Sequence, residues 1–164
     1  MFEYMNICAV FLARKPARLL PALLEQGLIS ALVSAICKMQ TRPTYLQECS
    51  ACRCIDLLVD YLRVHPGSAW IREALEGGLL QFVIQCSVDC IQEVQVDTDF
   101  LPALQPLLSE VLPRALVFYD IVVQMRGLLP KIEKLIAATP DFPNSTVAGQ
   151  WTPFASLAKQ RIVG

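Results

Sequence analysis

Histidine is almost missing from this chain. His65 is the single one, so any Ser-His or Cys-His catalytic arrangement would need it as the base. It stands beside Pro66 and Gly67, which reads as a helix end where an imidazole meets the last carbonyls. Charge is scarce as well: charged residues make up 18% of the chain, against about 25% in globular proteins. No carboxylates converge. Asp56 and Asp60 share a helical face, with Arg53 and Arg63 at three-residue spacing, the pattern of a solvated stripe. Asp97 and Asp99 read as capping residues, and Gly77-Gly78 lies between two helical patterns without the Lys-Ser/Thr companion of a phosphate loop. The expectation is a protein that is not an enzyme, with no cofactor and with no catalytic, cofactor-binding or metal residue.

Basic clusters are equally short. None exceeds Arg14-Lys15 with Arg18, and the net charge is -1, which removes the electrostatic footprint of a nucleic-acid binder. No apolar run approaches the ~20 residues of a membrane span; the longest are Gln26 to Cys37 and Gly77 to Val88. At the start, Met1-Phe2-Glu3-Tyr4 places an acid where a secretory signal carries positive charge, and Arg14 and Lys15 come after the apolar stretch. The reading is an intracellular protein, cytoplasmic or nuclear, for which the Asn144-Ser145-Thr146 sequon has no weight. Strict alternation of apolar and polar residues is absent, so no sheet is expected.

Apolar residues are what the chain has in excess, at 54% against roughly 45 to 50% in ordinary domains. Either helices are buried on more than one side, or an apolar face is left for a partner. A phrase that occurs twice gives the arrangement. Leu24-Glu25-Gln26-Gly27-Leu28-Ile29 is followed by Leu32-Val33, and Leu75-Glu76-Gly77-Gly78-Leu79-Leu80 by Val83-Ile84. In each, one helix ends at a glycine and an apolar helix starts at once. Flanking patterns predict helices over 3–13, 17–26, 28–39 and 45–64. Ser68 then caps 69–76, which is followed by 79–90, 102–111 and 113–126, with Gly127 as a stop and Pro130 as a new start. The segment 139–146 reads as a loop before a short terminal helix around Trp151, Phe154, Leu157 and Ala158.

Seven cysteines is an odd number, and five sit inside apolar helical patterns, where free thiols act as small hydrophobes in a reducing setting. Cys49, Cys52 and Cys54 are the tempting metal set. On one helix, however, Cys52 and Cys54 point roughly 160° apart. The alternative reading is a zinc- or thiol-dependent protein that joins Cys49 and Cys52 to Cys86 and Cys90 as four ligands. Trp70, Phe100, Tyr119 and Trp151 are candidate binding anchors, with core packing the plainer expectation for each.

The glycine junctions with their leucines resemble the turn between the second and third helices of armadillo repeats, and Tyr45 to Val64 then stands as the preceding helix of the second unit. A wider resemblance runs through Tyr61-Leu62, His65-Pro66, the Trp70 to Leu80 segment, Leu107-Leu108 to Pro113, and Trp151-Thr152-Pro153-Phe154 with Leu157-Ala158 and Arg161. This order resembles the helical region of fungal MYND-type zinc-finger proteins, in which the finger follows such a tryptophan segment. The finger's cysteine pairs and histidine are absent from these residues, so its zinc ligands transfer to none of them. The expected fold is therefore all-α, an irregular armadillo-like helical-repeat stack. It comprises residues 1–138, with 139–164 as a loop and C-terminal segment docking on it. The expected role is a non-enzymatic scaffold with a protein partner or self-association through exposed apolar surface.

Overall fold

The computed structural model describes residues 20–38, 45–64, 67–92, 104–145 and 147–164, and among these every regular element is helical. The elements are α1 (Leu20–Glu25), α2 (Leu28–Lys38), α3 (Tyr45–Val64), α4 (Ser68–Glu76), α5 (Leu79–Gln92), a π-helical turn (Leu107–Val111), α6 (Leu112–Ala115), α7 (Tyr119–Ala137), a 3-10 turn (Phe142–Asn144) and α8 (Ala148–Val163). The helix expected over 3–13, the caps Asp97 and Asp99, and Phe100 and His65 lie outside the described residues.

The two glycine junctions are built alike. Gly27 has φ +82° and Gly78 φ +92°, a left-handed region that side chains rarely adopt. Three backbone hydrogen bonds recur at matching positions. Gln26 N–H donates to Ala22 O, Gly27 N–H to Leu24 O and Ala31 N–H to Gly27 O, while Gly77 N–H donates to Glu73 O, Gly78 N–H to Leu75 O and Phe82 N–H to Gly78 O. The residues after each corner then turn inward: Ile29, Leu32, Val33 and Ile36 on α2, and Leu79, Leu80, Val83 and Ile84 on α5, are buried. Gly77 has a different task. A Cβ there would stand 2.9 Å from Val33 Cγ1, so its hydrogen lets α4 close on α2.

Packing follows chain order. α2 lies against α3, α4 and α5; α4 and α5 lie against α7; α3 reaches the π-helical turn, and α8 covers α7, α6 and that turn. One apolar cluster runs through all of them. α5 is enclosed on several sides, since Phe82 is buried together with Leu79, Leu80, Val83, Ile84 and Ser87, which is where the surplus of apolar residues goes.

Four expectations are corrected. Ser68 is the first residue of α4, with Gly67 in the extended cap position and no side-chain capping bond. The helix expected over 113–126 breaks at residues 116–118, because Val117 and Phe118 are weak helix formers and Asp120 suits the positive end of a fresh helix. Gly127 and Pro130 neither stop nor start a helix: α7 runs through both. Glycine and proline cost about 1 and 3 kcal/mol inside a helix. Burial of Ile121, Met125, Leu129 and Ile132 outweighs that at roughly 1.5 to 3 kcal/mol each, and both breakers face solvent. Finally, the C-terminal helix is 16 residues long, not short.

Pro113, the second residue of α6, lacks the N–H that would bond to Ser109 O, and the helix widens just upstream of it. Leu112 N–H donates to Leu107 O five residues back, and the Ser109 hydroxyl donates to Gln105 O.

Gly127 gives a direct prediction. A Cβ at this exposed helical position would meet nothing within 4 Å. Gly127→Ala is therefore expected to raise unfolding free energy by about 0.5 to 1 kcal/mol, read as a higher midpoint in urea with an unchanged slope.

Candidate functional site

Among the described residues, no group of three or more His, Cys, Asp or Glu is placed to hold a metal ion. Of the four cysteines in the zinc reading, only Cys86 has a described side chain, half-buried on α5; those of Cys49, Cys52 and Cys90 lie outside the described residues. Cys54 is buried in the core. Burial also raises the pKa of the Cys37 thiol, which sits 3.9 Å from Gly77 O and is thus a poor nucleophile.

The acid stripe of α3 is solvent-facing, as its spacing predicts, but Arg63 does not serve it. Arg63 pairs with Glu110 of the π-helical turn, and Arg114 pairs with the same carboxylate at 2.9 Å. Asp56 has its pKa raised, first by burial and then by Asp60. The folded state holds the Asp56 proton more tightly than the unfolded chain does. Its contribution is most favourable at pH below the ordinary aspartate range and is lost as pH rises through the folded pKa.

A cleft of about 280 Å3 opens between α2, α5 and α7, lined by Cys37, Gly78, Gln81, Phe82, Gln85 and Leu135. No charged group lines it.

Two polar contacts that spacing does not announce tie α2, α4 and α7 together. Glu73 on α4 reaches across to α2, where its Oε1 accepts from Ser30 N–H at 2.9 Å and so caps the first turn of that helix. Gln124 on α7 donates in turn from Nε2 to Arg72 O on α4, at 3.1 Å. Glu73→Ala is expected to cost about 1 kcal/mol. Glu73→Gln, which keeps an acceptor, should cost less, and urea unfolding of the two variants separates them.

The anchors divide. Trp151 is buried and Trp70 half-buried against the core, as expected, whereas Tyr119 is 83% exposed and no core residue. Val117 at 70% and Val123 at 46% are the other exposed apolar side chains of this stretch. Tyr119 and Val123 lie one turn apart on α7, and Val117 stands two residues before it. Further along the outer side of the same helix come Pro130, Lys131 and Lys134, all exposed. No described helix is long and apolar enough to cross a membrane. No family model, no curated protein and no solved structure matches the chain.

Proposed function

We propose that this chain is a non-enzymatic helical scaffold, an irregular armadillo-like stack that presents its outer helix faces to other proteins. The observation that carries the reading is the repeated glycine corner. The same three backbone bonds close both junctions, and the helices after them pack on the next unit in chain order, as stacked repeats do. On this reading residues 1–138 are the stack, 139–164 close over it, and the segment corresponds to the helical region of a MYND-finger-like protein inside the cell.

The test is capture of a protein partner, or concentration-dependent self-association, by purified chain with a helical circular-dichroism spectrum. An inert monomer that captures nothing removes the reading. The zinc or thiol alternative through Cys49, Cys52, Cys86 and Cys90 requires about one equivalent of zinc in protein made without chelator, or rapid thiol labelling. Metal analysis with a timed thiol titration decides between the two.

A further inference from the structure

We propose that the outward face of α7 is a docking site for an acidic segment of a partner protein. Its apolar side chains would rest on Val117, Tyr119 and Val123, and its carboxylates would meet Lys131 and Lys134. This rests on the scaffold reading above and names the surface and the chemistry of the partner. On a helical wheel Tyr119, Val123, Pro130 and Lys134 fall within an arc of roughly 60°, and Lys131 stands at its flank about 60° beyond Lys134, while the buried Ile121, Met125, Leu129 and Ile132 lie on the opposite side. From Tyr119 to Lys134 the face measures about 22 Å along the axis, the length of some seven extended residues.

Charge on this face is one-sided. Among the described residues Lys131 and Lys134 take part in no ion pair, while Glu133 is held by Lys159 and Arg126 donates to Ile162 O. Asp120 is the remaining acid of the helix and stands at its flank, near the apolar end. The face therefore offers apolar contact at one end and unsatisfied positive charge at the other, which an apolar and acidic segment complements. A second copy of the chain fits poorly, because two-fold pairing of antiparallel α7 helices would set each Lys134 against the partner's apolar end. An anionic membrane is disfavoured too. The exposed apolar residues are valines and one tyrosine, without the Trp, Phe or Leu that anchor an interfacial helix.

The experiment titrates the full chain against a fluorescent nine-residue peptide that alternates glutamate with leucine and phenylalanine, read by anisotropy. Saturable binding is expected, weakened as salt is raised from low to above physiological strength. It should fall by about tenfold or more in Val123→Asp and in the double variant Lys131→Glu/Lys134→Glu, with helical circular dichroism retained. Both lysines are exposed, so the double variant serves even if Val123→Asp fails to fold. The inference is overturned by no saturable binding, by equal binding of a peptide with lysine in place of glutamate, or by affinity unchanged in the double variant. It is also overturned if Val123→Asp abolishes self-association, or if the chain sediments with phosphatidylserine vesicles while ignoring the peptide. A partner captured equally by wild type and double variant removes this face and leaves the scaffold reading standing. Capture by neither removes both.

Discussion

Trp151→Ala is expected to lower the free energy of unfolding by about 3 to 5 kcal/mol. The indole is 6% exposed and meets Phe154 edge-to-face, with centroids 5.8 Å apart. A tryptophan of this kind hides about 150 to 250 Å2, which at about 25 cal/mol per Å2 amounts to roughly 4 to 6 kcal/mol before relaxation. Truncation also leaves a void where α8 meets α7, α6 and the π-helical turn. A chain of this size loses about 2 to 4 °C of melting temperature per kcal/mol, so the midpoint should drop by roughly 6 to 20 °C. Val163→Ala, at a side chain 88% exposed on the same helix, should leave it within error. A Trp151 variant that melts with wild type would show that α8 contributes little to the fold.

Gly78→Val is the second large effect, at about 2 to 3 kcal/mol. The backbone there has φ +92°, and a β-branched side chain clashes with its own carbonyls in that region. Gly78→Asn should be milder, since a short amide tolerates left-handed backbone. At Gly77 the cause is different. Its φ is -69°, which any residue adopts, and the obstacle is Val33, 2.9 Å from a new Cβ. Gly77→Asn therefore gains nothing over Gly77→Ala, whereas Gly77→Ala combined with Val33→Ala recovers part of the loss. Urea unfolding of these variants separates strain from crowding.

Those corners were legible because a glycine set directly before an apolar stripe has a local cause. A residue without a Cβ accepts the turn at least cost, and the stripe states which side goes inward. α3 was read from Tyr45 to Val64 for the same reason, having breakers at both ends. Gly127 and Pro130 carry the same signals and were misread, because their effect depends on what the helix buries on its far side. Tyr119 misled in the opposite sense. In Leu116 to Val123 nearly every residue is apolar, so no contrast marks which of them faces outward. Glu73 bonds a partner 43 residues away, beyond any periodic pattern. The apolar surplus was legible in composition, but its division between the enclosed α5 and the exposed side chains of α7 was not.

The bond from Ser30 N–H to Glu73 joins α2 to α4 through a shared cap, so neither helix keeps its full hydrogen bonding when the other opens. Loss of α4 strips the first turn of α2, and loosening of α2 leaves a half-buried carboxylate without its donor. Such reciprocal dependence resists stepwise fraying of the two helices and makes them melt together, as a single cooperative block.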